Sequence, residues 1–111
     1  MDGVRLGLIL DLQFRAIVER DLANGQHRNP ERRPGWFTTS YFHTPADLQQ
    51  EIDESGLDLV SIFGVEGPGW LRPELWDDPT NREALLSVAR LVETDPNAVL
   101  LSAHLLAVAR R

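Results

Sequence analysis

The segment LDLVSIFGVEGPGW, residues 57–70, decides the fold of this chain. Its first seven residues are mostly apolar, with β-branched and aromatic side chains, which is typical of a β-strand. We predict a strand over Leu57–Val65 and, because neither face is strongly polar, we expect both faces to be covered. Three glycines, a proline and a tryptophan then predict a stiff loop over Gly64–Trp70. Loops held in this way often carry binding residues.

A helix is predicted immediately before this strand. Thr44 can cap a helix, Pro45 suits its first position, and the acid at Asp47 completes the start signal. Leu48 and Ile52 would form the buried stripe. The Ser55-Gly56 pair would end the helix before the strand begins.

The same helix-start pattern, a capping residue followed by proline, occurs again at Asp78-Pro79 in the second half of the chain. The helix that follows is expected to bury four apolar side chains, Leu85, Val88, Ala89 and Val92. Asp95-Pro96-Asn97 should then turn the chain. The last run, Ala98–Ala109, is ambiguous between a helix and a buried strand, because its composition favours the first and its length and flanking turn allow the second.

The N-terminal part is predicted to be helical over Val4–Leu22, with a possible break near residues 10–12, and to stop at Asn24-Gly25. Gln26–Gly35 is polar and contains prolines, so it should be a loop. Its Arg28–Pro34 part could hold an anionic group, although a solvated loop is the favoured interpretation.

Composition limits the possible functions. The chain has 111 residues, enough for one domain, a formal charge of −6 and no cysteine, and all eleven basic residues are arginine. These facts argue against general nucleic-acid binding and exclude disulfides, thiol catalysis and a lysine nucleophile. No apolar stretch is long enough for a membrane span, and the signal-peptide order is absent, so we expect a cytoplasmic protein that binds no membrane.

A few polar residues are candidates for chemistry. The spacing of His27, His43 and His104 matches no compact metal signature, so no metal is predicted. His104 is interpreted as a core or edge residue, whereas His43 is either a base or donor or part of an aromatic cluster. Glu66 either orients a substrate or caps a neighbouring amide. Pro68 removes the central donor that a phosphate-binding glycine loop would need.

Four stretches together are similar to a known family. They resemble the C-terminal part of bacterial class I S-adenosylmethionine-dependent methyltransferases, and they are RNPERRPGWFTT (28–39), YFH (41–43), GVEGPGW (64–70) and AHLLAVAR (103–110). The resemblance covers nearly the whole chain but only one half of that family's fold.

The resemblance implies an α+β fold in which helices pack on a two-stranded antiparallel sheet, the C-terminal segment of a Rossmann-like fold. Most of Ala98–Ala109 would then be the last strand, antiparallel to Leu57–Val65. The resemblance also places five residues at the pocket for a small-molecule methyl acceptor: Trp36, Tyr41, His43, Glu66 and Trp70. It identifies no catalytic residue.

The sequence departs from the family in one important way. The glycine-rich turn and the ribose-binding acid of the family have no counterpart, so S-adenosylmethionine is implied for the full-length family but no cofactor-binding residue can be assigned here. We therefore expect a truncated, methyltransferase-like protein that is inactive alone. The alternative is a binding or interaction module that dimerises or completes a separately encoded cofactor domain. A small enzyme using Tyr41, His43 and Glu66 for acid–base chemistry is less favoured.

A strand that the family has and this chain lacks would leave an apolar edge open within Ala98–Ala109. Open apolar edges invite pairing with another chain. The sequence therefore predicts a homodimer that buries this edge.

Overall fold

A computed structural model describes residues 15–34 and 39–111. This part contains three α-helices, α1 (Arg15–Asn24), α2 (Pro45–Glu54) and α3 (Pro79–Val92). It also contains four strands, β1 (Gln26–Arg28), β2 (Thr39–Tyr41), β3 (Asp58–Gly64) and β4 (Leu105–Arg110). The predicted α+β class is confirmed. The beginning of the first predicted helix, with its possible break near residues 10–12, lies outside the described residues, as does Trp36.

The central sheet is the antiparallel pair β3–β4, as predicted. Leu59 lies opposite Ala109 and Phe63 opposite Leu106, and a bulge at Val60 interrupts the register. A bulge adds one residue to one strand and increases the local twist.

The last strand is shorter than predicted. Only Leu105–Arg110 is strand, whereas Val99–Leu101 forms a turn of 3₁₀ helix. The reason lies in the preceding turn, where the Asp95 carbonyl accepts hydrogen bonds from the amides of Ala98 (2.9 Å) and Val99 (2.8 Å). These bonds hold the chain in a tight turn, so the strand begins only after it.

The two faces of the β3–β4 sheet differ in exposure. Helix α2 contacts both strands, and one set of apolar side chains is half-buried: Leu59, Ile62, Ala107 and Ala109. By contrast, Val60, Leu106 and Val108 are 58%, 55% and 41% exposed. The expectation that both faces of β3 are covered is therefore wrong at Val60, whereas Ile62 and Phe63, which lie on opposite faces, are both half-buried. The bulge turns Val60 outward, and the alternating side chains of β4 leave every second residue exposed.

The start of α2 follows its sequence signal. The Thr44 hydroxyl accepts a hydrogen bond from the Asp47 amide (3.2 Å), and the Asp47 carboxylate accepts one from the Thr44 amide (2.9 Å), which is a complete capping box. The helix ends at Glu54 with Ser55 as its C-cap, and Gly56 follows with a φ of 75°. The predicted stripe residues, Leu48 and Ile52, are half-buried.

Helix α3 is capped by Asp78, as predicted, and contacts two short 3₁₀ helices, Gly67–Leu71 and Pro73–Asp77. Of its predicted buried residues, Ala89 is buried, Leu85 and Val92 are half-buried, and Val88 is exposed. The predicted stripe is thus too wide, because the short elements that α3 contacts cover only part of its surface.

The N-terminal region holds a second small sheet that the sequence did not predict. Helix α1 ends at Asn24 and Gly25 has a φ of 73°, as expected. However, β1 pairs antiparallel with β2, with His27 opposite Ser40. The prediction of a loop over Gln26–Gly35 is wrong for Gln26–Arg28, because pairing with a distant segment outweighs the polar character of these residues.

Two glycines allow a matched test of the packing in the loop after β3. Gly67 has a φ of 64°, and a Cβ there would lie 2.9 Å from the Ala89 Cα, whereas Gly56 has a φ of 75° and open space around it. We expect Gly56→Ala to lower the free energy of unfolding by about 1 kcal/mol, the cost of a left-handed backbone. Gly67→Ala should cost about 1–3 kcal/mol more, because the methyl group overpacks the contact. Urea unfolding measures both, and equal losses would contradict this packing.

Candidate functional site

The loop after β3 is held against the segment that precedes β4. The Gly67 amide donates a hydrogen bond to the Ser102 hydroxyl (2.8 Å), and Ser102 is buried. Gly64 lies so close that a Cβ there would be 2.5 Å from the Ser102 oxygen. Glycine is therefore required at position 64 for the two segments to approach. The Gly67 amide already donates its hydrogen bond within the protein, to Ser102.

The two tryptophans of this region stabilise the same loop. The Trp70 indole N–H donates to the Leu101 carbonyl (2.7 Å), and the Trp76 indole N–H donates to the Gly69 carbonyl (3.0 Å). Both rings thus tie the Gly-Pro-Gly turn to its neighbours. Trp70, a predicted acceptor-pocket residue, is half-buried and has its one donor satisfied internally.

Glu66 bonds to the residue that precedes β4. Its carboxylate accepts a hydrogen bond from the His104 backbone amide (3.1 Å) and also pairs with the His104 Nδ1. Of the two predicted roles of Glu66, the structure gives it the capping of a neighbouring amide. The His104 side chain is 72% exposed and directly precedes β4, so of its two predicted placements the structure agrees with the edge residue and not with the core residue.

Tyr41 and His43 form an edge-to-face ring pair with centroids 4.8 Å apart. The His43 Nε2 lies 3.0 Å from a Glu51 carboxylate oxygen on α2. This arrangement matches the aromatic-cluster alternative for His43. It also leaves a histidine–carboxylate pair near the surface, where His43 is half-buried and Glu51 is exposed.

The described candidates form two groups. Because the tight turn at residues 55–57 reverses the chain, the beginning of α2 lies toward the end of β3, and we infer that the two groups share that end. One group is Tyr41 with His43, and the other is Glu66 with Trp70. Within residues 15–34 and 39–111, no hydrogen bond or ring contact joins the groups.

A buried polar cluster between α1 and β1 was missed by sequence reasoning. The Asp21 carboxylate lies 2.5 Å from the His27 Nδ1, and these residues are 1% and 2% exposed. Arg20 donates two hydrogen bonds to the other Asp21 oxygen, at 3.0 and 3.2 Å. One signal was present in the sequence, because Asp21 follows Val18 by three positions and so shares the inward face of α1.

This cluster fastens α1 to the β1–β2 sheet. The His27 ring lies 5.9 Å from the ring of Phe42, which is also buried. Both carboxylate oxygens of Asp21 are engaged, one by His27 and the other by Arg20. A carboxylate bonded on both oxygens is suited to orienting its neighbours. Here it orients the buried imidazole of His27 and the more exposed guanidinium of Arg20.

Among the described residues, no group of three or more His, Cys, Asp or Glu side chains is placed to hold a metal ion. In the same part of the chain, no helix combines the length and the apolar character needed to cross a bilayer.

Comparisons with models of protein families, with curated proteins and with solved structures found no match to this chain.

The buried cluster leads to a stability prediction. Asp21→Asn should lower the free energy of unfolding by about 2 kcal/mol, because it weakens charge-assisted hydrogen bonds to the buried His27 and to the more exposed Arg20. The control is Glu19→Gln on the same helix, whose exposed pair with Arg15 should contribute at most about 0.5 kcal/mol. Chemical denaturation of both variants measures the difference, and similar small losses would show that the Asp21 pair does not stabilise the fold.

Proposed function

We propose that this chain provides the acceptor side of a methyltransferase-like protein and works through association rather than as a complete enzyme. In this proposal β3, α3 and β4 form the last part of a Rossmann-like fold, and the outer edge of β4 pairs with β4 of a second copy. The S-adenosylmethionine site would not be supplied by this chain.

The observation that carries the proposal is the open edge and face of β4. In the part of the chain that the structure describes, β4 pairs with β3 alone, and its alternate side chains Leu106 and Val108 are exposed. A two-stranded sheet is marginal by itself, and unpaired strand edges take up further strands. The apolar side chains beside this edge would gain burial if the sheet were extended.

A second copy is the occupant that fits this edge best. Antiparallel pairing of β4 with itself about a twofold axis would give a four-stranded sheet, β3–β4–β4–β3, in which both edges of β4 are satisfied. Such an interface is self-complementary, which is the commonest arrangement in homodimers. The exposed Leu106 and Val108 of both copies would then form one continuous apolar face.

The methyl-acceptor role is supported by the placement of its residues. Four of the five residues assigned by resemblance, Tyr41, His43, Glu66 and Trp70, lie in the described part and are inferred to share one end of the sheet. Ligands commonly bind at the ends of sheets in open α/β folds. The internal bonds of Glu66 and Trp70 favour a pocket whose wall is fixed in advance rather than one that closes on the ligand.

Association can be tested with one substitution and a matched control. Val108→Lys should weaken the dimer about tenfold or more, because pairing of β4 with its copy brings the two ammonium groups close together on one face. Leu91→Lys, at an 82% exposed apolar position on α3, should leave the association unchanged. Sedimentation equilibrium over a range of protein concentrations measures both.

Two results would contradict the proposed dimer. The first is a parent chain that stays monomeric at its highest soluble concentration. The second is loss of association in Leu91→Lys but not in Val108→Lys, which would place the interface on α3. A parent monomer that binds a separately encoded cofactor domain, with loss of that binding in Val108→Lys, would support the second-domain alternative instead.

The cofactor part of the proposal has its own test. Calorimetric titration of the chain with S-adenosylmethionine should show no tight binding, because the sequence contains neither the glycine-rich turn nor the ribose-binding acid of the family. Tight binding would contradict the proposal that this chain lacks the methyl-donor site, whatever its oligomeric state.

A further inference from the structure

A small cavity lies between α1 and the turn that follows β1, in the N-terminal region. Its volume is about 90 Å³, and three arginines line it: Arg20, Arg28 and Arg33. The remaining lining includes Ile17, Asn29 and Glu31. The proposed association involves β4, so ligand binding in this cavity would be independent of it.

The turn on one side of the cavity is held firmly by Asn29. The Asn29 side chain donates to the Arg33 carbonyl (3.0 Å) and accepts from the Arg33 amide (2.9 Å). Its backbone carbonyl also accepts from the Arg32 amide (3.1 Å). Arg32 has a φ of 50°, a conformation that is costly for any residue other than glycine. Backbone strain of this kind persists where surrounding bonds impose it, and it concentrates at functional sites.

The other side of the cavity is positioned by the buried cluster. Asp21, bonded to His27, fixes the Arg20 guanidinium through its Nε and one terminal nitrogen. That nitrogen also donates to the Arg28 carbonyl (3.2 Å). The second terminal nitrogen of Arg20 has no partner among the described residues. Arg28 makes one side-chain hydrogen bond there, to Gln26, and keeps donors to spare.

The cavity carries an excess of positive charge. Its lining contains three guanidinium groups and one carboxylate, that of Glu31, which pairs with Arg33. With the Asp21 carboxylate that holds Arg20 also counted, the excess is one positive charge. The chain as a whole has a charge of −6, so this local excess runs against the overall balance. The Glu31 side chain is largely exposed and can move away when an anion enters.

We propose that this cavity binds the phosphate group of a small phosphorylated molecule. Guanidinium groups bind phosphate through paired, charge-assisted hydrogen bonds, and their planar donor pattern suits this ligand better than that of lysine. Arginines approaching from α1, the end of β1 and the turn can reach several phosphate oxygens at once. A carboxylate has only two oxygens in one plane and would leave part of this donor set unused.

The size of the cavity is sufficient for a phosphate group. A water molecule occupies about 30 Å³ in the liquid, so the cavity has room for roughly three waters. That space accommodates a tetrahedral oxyanion, and the rest of a phosphorylated molecule would extend into solvent past Glu31.

The test is a titration of the full chain with inorganic phosphate at constant ionic strength, followed by amide chemical shifts or by calorimetry. We expect saturable binding. Arg28→Gln should weaken it about tenfold, since a charge-assisted pair is lost, and Glu31→Gln should strengthen it about threefold, since a competing carboxylate is removed. Arg90→Gln, an exposed arginine on α3, is the matched control and should have no effect.

Several outcomes would overturn the proposal. They are absence of saturable binding, equal weakening by Arg28→Gln and Arg90→Gln, or acetate binding as tightly as phosphate. Circular dichroism of each variant checks that it folds, and the gain expected from Glu31→Gln cannot result from unfolding. Parallel titrations with free O-phosphoserine and with glycerol phosphate distinguish a monoester ligand from free phosphate. Tighter binding of either monoester would identify an esterified ligand.

Discussion

The contact between the exit of β3 and the entry of β4 is the constraint on which the central sheet depends. Gly64 allows the two backbone segments to approach, and the buried Ser102 hydroxyl joins them by accepting a hydrogen bond from the Gly67 amide. The Trp70 and Glu66 bonds to Leu101 and His104 reinforce the same junction. Because this junction sets where β4 begins, it also sets the register of the pair and the side chains that β4 exposes. The loop over Gly64–Trp70, which the sequence predicts to be a binding element, thus first holds the end of β3 against the beginning of β4.

Elements defined by local hydrogen bonds could be predicted from the sequence. The cap at Thr44, the cap at Asp78 and the glycine stop at Gly25 each depend on residues within one turn of the chain, so short patterns contain the required information. The strand over Asp58–Gly64 was equally visible, because its apolar side chains are consecutive. Its pairing with the last strand was available only through the family resemblance.

Features that depend on distant partners could not be predicted. Strand β1 exists because residues 39–41 pair with it, and its three polar residues give no sign of that. Leu106 and Val108 of β4 are exposed because no described element covers them, and the residues of the strand itself do not indicate this. At the candidate site, the residue types at Tyr41, His43 and Glu66 were recognisable, but their partners were not. The Asp21–His27 pair joins residues in different elements, and neither residue carries a motif.

The order of the elements along the chain has a consequence for how the protein folds. Gly64 and Leu105 are register partners 41 positions apart, whereas α2 and β3 are adjacent. Contacts of high sequence separation form late, because the entropy of closing a long loop must be overcome first. During synthesis, β3 therefore leaves the ribosome well before its partner strand. For that interval α2 is the neighbour available to shield its apolar side chains, and the strength of the Thr44 cap bears on how well the nascent chain avoids aggregation.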